Sequence, residues 1–245
     1  MSAPVASPAT AAVLRARPRA VVFDMDGTLL DTEGLAARAW PLAASAIGVE
    51  FDAALVPAMI GRNTRDCMTL IVERHGAAFP VDDFVEAMRA AFDDLILREG
   101  IGVMPGAQSL LEWLAGRGIP AAVATSTRRV RAEAKLADAG LLPHFRGVTG
   151  GDEVHRGKPA PDIYLLAASR LGVDAPHCLA IEDSEPGFLA AHHAGMPVVF
   201  VPDQAPPSPA LLAYAPRIVA TLDGVREWLE GLPPATQAAS RAHGA

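Results

Sequence analysis

Residues 21–33 read VVFDMDGTLLDTE, an apolar run that stops at Asp24, with a second aspartate at Asp26 and Gly27 behind it. Val and Phe in an unbroken run bounded by turn residues read as a strand buried on both faces, because parallel strands show continuous apolar character instead of alternation. Two carboxylates at the end of such a strand would lose much by unpaired burial, so the pair points to a cation or a proton held between them. The same residue types also make a turn with a helix cap, and Asp-x-Asp alone leaves both readings open.

Working outward, apolar runs of the same kind lie at 20–23, 121–124, 178–181 and 198–201, with weaker ones at 147–149 and 218–220. Helical patterns at 107–117, 129–139, 163–171 and 186–194 separate them, followed by Gly118, Gly140, Gly172 and Gly195, the residue expected past a helix end. This alternation predicts an α/β fold, a doubly wound parallel sheet whose ligand site lies beyond the carboxyl ends of its strands. Residues 33–103 break the alternation: helical patterns at 35–47, 64–74 and 84–98 and no strand predict a small all-helical cap domain over the strand ends, where a lid can exclude water. The α/β core then takes 19–32 and 104–231. Residues 1–18 and 232–245, rich in small residues and proline, are predicted to be flexible tails, with Arg15, Arg17 and Arg19 as a solvated cluster.

A chain of 245 residues that is 51% hydrophobic can bury one sizeable core and a smaller second one. Its formal net charge of -7 argues against a nucleic-acid partner, which would call for a positive face. No apolar run reaches the roughly 20 residues of a membrane span, and the N-terminus lacks the apolar segment of a secretory signal, so the expectation is a cytoplasmic protein, monomeric or weakly dimeric, with no membrane partner. Cys67 and Cys178 lie far apart without metal spacing and read as free buried thiols. His192 and His193 likewise lack partners at metal spacing and read as exposed or packing residues, while Met59, Met68, Met88 and Trp113 read as core.

The stretch DMDGTLLDTE resembles the first motif of the haloacid dehalogenase superfamily, Asp-x-Asp-x-Thr, and three further motifs of that family have counterparts in order. AAVATST supplies Thr125 at a strand end, GKPAPDIY supplies Lys158 in a loop before a helix, and IEDSEPG supplies Glu182 and Asp183 after another strand. Alone, a strand-end threonine is usually a helix cap and a lysine usually a solvated charge; it is the ordered set that is specific. The match looks closest to the helical-cap branch, which includes sugar phosphatases and β-phosphoglucomutase.

The resemblance implies a Rossmann-like core and a magnesium-dependent phosphatase that takes the phosphoryl group from a small organic monoester, such as a sugar phosphate, onto Asp24. Asp26 would protonate the leaving oxygen and later activate water, with Thr125 and Lys158 acting on the phosphate oxygens. Mg2+ would be held by Asp24, the backbone carbonyl of Asp26 and Asp183, with Glu182 orienting a metal-bound water. Backbone N–H groups near Met25 and Ser126 would complete a phosphate cradle. Arg62 and Asn63 fall where cap residues of relatives face the site, and Arg suits a second anionic group, although Arg62 fits equally as a solvated helix-start residue. Arg128, just past the phosphate loop, is a further candidate.

Asp26 favours phosphate esters over dehalogenation, because relatives that cleave halides or phosphonates lack an aspartate there. Relatives of β-phosphoglucomutase carry a histidine ten residues beyond the second aspartate, where this chain has Ala36, which favours a phosphatase over a mutase. A non-catalytic binding protein on the same fold would be expected to have lost its nucleophile or a metal ligand, and the set here is intact.

Overall fold

The computed structural model describes residues 14–59, 64–203 and 206–235. Its centre is a six-stranded parallel sheet in the order β5-β4-β1-β6-β7-β8, where β1 is Ala20–Phe23, β4 Ala121–Thr125, β5 Phe145–Gly150, β6 Cys178–Glu182, β7 Val198–Phe200 and β8 Arg217–Ile218. The continuous apolar runs are explained by the two faces. Val21, Phe23, Leu179 and Ile181 enter one core, and the alternate residues Ala20, Val22, Cys178 and Ala180 enter the other. On the first face lie α5 (Ala107–Gly116), α6 (Arg129–Asp138) and α10 (Leu222–Glu230); on the second, α7 (Asp162–Leu171) and α8 (Glu185–His193). A four-residue helix, α9 (Pro209–Leu212), precedes β8.

Chain order reverses about β1: β4 and β5 extend the sheet to one side, and the chain then crosses to β6 on the other. A crevice at the carboxyl ends of the strands beside such a reversal is where ligands bind in doubly wound folds. The sheet registers Phe23 with both Val123 and Ile181, so Thr125, Asp24 and Glu182 emerge at one edge.

Within residues 33–99 the described residues form four α-helices, α1 (Glu33–Ala46), α2 (Val56–Met59), α3 (Thr64–His75) and α4 (Val81–Glu99). They have apolar clusters of their own: Leu35, Ala39, Phe92 and Leu95 in one, and Trp40, Met59, Cys67, Ile71 and Phe84 in a second. The expectation of no strand in 33–103 is corrected, since β2 (Leu30–Asp31) pairs antiparallel with β3 (Gly102–Val103). Two-residue strands carry no periodicity that a sequence could display. The two strands approach closely at Gly102, where a Cβ would lie 3.2 Å from Cβ of Asp31.

The tails expected at 1–18 and 232–245 are docked where they fall within the described residues. Arg17 N–H donates to Pro233 O at 2.8 Å. Its guanidinium donates to Leu229 O at 3.2 Å and Glu230 O at 3.0 Å, supplying a cation to the last carbonyls of α10, and it lies 5.6 Å from the Trp113 ring. The expectation of a solvated Arg17 is therefore corrected; residues 1–13 and 236–245 lie outside the described residues. Among the described residues no helix is long and apolar enough to cross a membrane.

Candidate active site

Asp24 continues β1 by one residue, its N–H donating to Ile181 O at 2.9 Å. That bond sets its carboxylate beside the end of β6, where Glu182 and Asp183 follow. Oxygen atoms of Asp24, Glu182 and Asp183 lie within 4.8 Å of one another. Thr28 donates to Asp183 Oδ1 at 2.9 Å, and Gly27, at φ 83°, makes room for the same carboxylate, since a Cβ there would be 2.3 Å from Asp183 Oδ2.

Lys158 reaches this cluster from the loop before α7, with Nζ bonded to Asp24 Oδ1 and, at 2.6 Å, to Glu182 Oε1. The loop is pinned to the first turn of α7 by Arg156, which donates twice to Asp162 at 2.8 Å. Glu182 is fully buried and has partners on both oxygens: the Tyr164 hydroxyl at 2.6 Å joins Lys158 on Oε1, and Ser184 Oγ at 3.0 Å donates to Oε2. Gly187 allows α8 to start against it, because a Cβ would sit 1.8 Å from Oε1. Glu182 thus holds Lys158 in place.

Three carboxyl groups meet here with one ammonium, which pairs with two of them, so with every group ionised the buried site would carry an excess of two negative charges. Burial pushes the Asp24 carboxyl up to about 7; Lys158 pulls against that shift and Glu182 adds to it. Burial, then the charges of Asp24 and Glu182, push Asp183 well above the usual carboxylate range. Burial alone would lower Lys158, but Asp24 and Glu182 outweigh it and raise the ammonium further. Tyr164 is held well above the ordinary phenol value by burial and then by Glu182, so it stays a donor. Oxygen donors that ionise to two surplus charges are what a hard divalent cation such as Mg2+ takes up, and the group consists of carboxyl oxygens alone.

The Asp26 carboxylate is outside this group. Thr127 Oγ1 donates to its Oδ2 at 2.8 Å and Lys135 Nζ to its Oδ1 at 2.9 Å. Toward a cation Asp26 therefore has its carbonyl to offer, and its carboxylate is committed elsewhere. Thr125 is buried, with Oγ1 accepting the Thr127 N–H at 3.1 Å. Met25 has its side chain in the core and can serve a phosphate only through its backbone. Ser126 lies on the exposed loop after β4, with its carbonyl against Gly151, where a Cβ would be 2.4 Å away. Arg128 is 78% exposed, with Asp152 3.8 Å from it. Arg62 and Asn63 lie outside the described residues.

Thr28 is the threonine of the first motif, whereas Thr127, Lys135 and Tyr164 belong to none of the four motifs. For Lys135 a signal was present. The chain has 21 basic Lys and Arg residues, of which Lys135 and Lys158 alone are lysines, and they bond to Asp26 and Asp24 just beyond β1.

Residues 18–195 match the family model described as haloacid dehalogenase-like hydrolase. The bifunctional riboflavin kinase/FMN phosphatase of Arabidopsis thaliana is 34% identical over 87% of this chain, which spans only 56% of that protein's length. The fructose-1-phosphate phosphatase YqaB of Escherichia coli is 34% identical over 74% of this chain and 95% of its own. Among solved structures, CbbY from Rhodobacter sphaeroides in complex with phosphate superposes with a TM-score of 0.70 at 29% identity, covering 84% of this chain and 95% of that one.

Proposed function

The chain belongs to the haloacid dehalogenase-like hydrolases and is a phosphohydrolase of small phosphorylated substrates, and from that premise we propose a magnesium-dependent monoester phosphatase working through an aspartyl phosphate on Asp24. The observation that carries this reading is the buried group of Asp24, Glu182 and Asp183 with Lys158 against the nucleophile. Asp24 attacks phosphorus as the P–O bond to the departing alcohol breaks, and Asp26 gives that oxygen its proton. Water, deprotonated by Asp26, then displaces phosphate from Asp24. Lys158 and Thr125 hold the phosphate oxygens. Asp24, Asp183 and the Asp26 carbonyl would hold Mg2+, which supplies positive charge for attack by one anion on another.

The helices of 33–103 act as the cap, and phosphosugars are the preferred substrate class. Fructose-1-phosphate in the name of one relative supports this choice. Ala36 packs among apolar residues of the helical insertion and carries no imidazole to manage a mutase's acid/base, which supports hydrolysis over mutation. The test is phosphate release from a panel of sugar, polyol and aryl phosphates with magnesium or with chelator. Turnover of several esters with magnesium and none with chelator is expected; conversion of β-glucose 1-phosphate to glucose 6-phosphate without phosphate release would replace the phosphatase reading with the mutase one.

The same charge excess predicts a pH-dependent response to the cation. A carboxyl raised in the folded protein contributes stability that is present at low pH and lost as pH rises through its folded value, about 7 for Asp24. Metal-free protein should therefore melt lower at about pH 8 than at about pH 5.5 on this account, and millimolar magnesium should raise the melting temperature more at the higher pH, where protons no longer compete. An equal rise at both pH values would mean that the cation binds elsewhere.

A further inference from the structure

We propose that Lys135 is a positioning residue for Asp26, fixing by a single hydrogen bond which carboxylate oxygen meets the leaving group and the water. The inference rests on the acid/base reading of Asp26 given above. Lys135 Nζ donates to Oδ1 at 2.9 Å, and Oδ2 is met only by the Thr127 hydroxyl at 2.8 Å among the contacts of the described residues. A hydroxyl is an exchangeable partner that a substrate oxygen can replace. Oδ1 can accept from an ammonium whether the carboxyl is charged or neutral, so the proton, when carried, sits on Oδ2. It passes from Oδ2 to the alcohol oxygen as the P–O bond to that oxygen breaks and the bond from phosphorus to Asp24 forms.

The lysine is seated for this task. Its side chain is 12% exposed, and Nζ lies 4.7 Å from the centre of the Phe92 ring, so α4 presents an aromatic face beneath the ammonium. One turn earlier on α6, Arg131 pairs with Asp93, the neighbour of Phe92 on α4. Core and helical insertion are thus clasped where Lys135 passes between them. The residue type matters, because a guanidinium tends to take both oxygens of a carboxylate in a fork, whereas an ammonium can hold one and leave the other. Apart from Lys158, this is the one place where the chain has a lysine and not an arginine among its 21 Lys and Arg residues.

The experiment compares kcat/KM, which reports steps through phosphoryl transfer, for fructose 1-phosphate and p-nitrophenyl phosphate; the aryl ester's leaving group needs little protonation. Lys135→Met should lower kcat/KM about 10- to 100-fold for the sugar ester and under about threefold for the aryl ester, a loss smaller than the ~10²–10⁴-fold that a whole general acid contributes. Lys135→Arg, which retains the charge, should show the same selective loss. In an Asp26→Asn background, Lys135→Met should add under about threefold, since the two residues act as one unit. Equal losses on both esters, full rescue by arginine, or an undiminished effect in the Asp26→Asn background would each overturn the proposal. Parental rates in Asp26→Asn itself would instead remove the acid/base reading, whatever Lys135 does.

Discussion

Asp24→Asn should fold like the parent protein and lose phosphate release by about 10⁴-fold or more, the scale seen when a nucleophile is removed from a concerted catalytic set. The amide keeps the shape of the carboxylate and its place at the end of β1, so the loss belongs to chemistry and not to packing. Stability should move the other way. Asp24 is 7% exposed and shares its pocket with two more carboxylates, so removing its charge relieves like-charge repulsion in the metal-free protein. The variant should melt at or above the parental temperature in chelator at about pH 8, where the parent's Asp24 is ionised, and gain less from magnesium. A folded variant that hydrolyses esters within about tenfold of the parent would end the assignment of Asp24 as nucleophile.

Lys158→Met should lose both activity and stability. Its side chain is 6% exposed, and its ammonium bonds to Asp24 and Glu182, the latter fully buried. Taking one partner from a buried ion pair leaves uncompensated charge and is destabilising by about 3–5 kcal/mol. For a chain of this size that is a fall in melting temperature on the order of 10 °C. The deficit should shrink as the pH is lowered, because Asp24 and Asp183, already raised by burial, can then take up protons in place of the ammonium. Turnover should drop on the order of 10²- to 10³-fold, the effect of removing one preorganised donor from a developing charge. A variant less stable by under about 1 kcal/mol would show that Glu182 and Asp24 do not depend on the lysine for their burial.

The parts of this molecule that a sequence displays are those whose determinants are local. β1, β4, β6 and β7 show themselves because burial on both faces demands apolar residues without interruption, and their observed ends fall within a residue of the runs in the sequence. The helices α5, α6 and α7 are legible for a related reason: an apolar stripe ends where a glycine can turn the chain. Asp24, Thr125, Lys158 and the Glu182–Asp183 pair are legible because each stands at or near the end of such an element. The partner of Lys135 is illegible by the same logic, although its rarity as a lysine is visible, for it reaches Asp26 across 109 residues of sequence. Tyr164, in an apolar helix, reads as core, and it is core except for a hydroxyl that ends on Glu182. The β2–β3 pairing and the Arg17 contacts depend on where distant segments arrive, which no local pattern records.

The distribution of basic side chains has a practical corollary. Primary amines on side chains are ordinarily scattered over a protein's surface, whereas the two that this sequence contains belong to side chains, at 135 and 158, that are 12% and 6% exposed and pair with Asp26 and Asp24, the carboxylates proposed for catalysis. An acylating or reductively alkylating reagent therefore finds no side-chain amine on the outer surface, and any that enters does so at the catalytic end. Covalent labelling of lysine side chains in this protein becomes an assay of access to the proposed active centre.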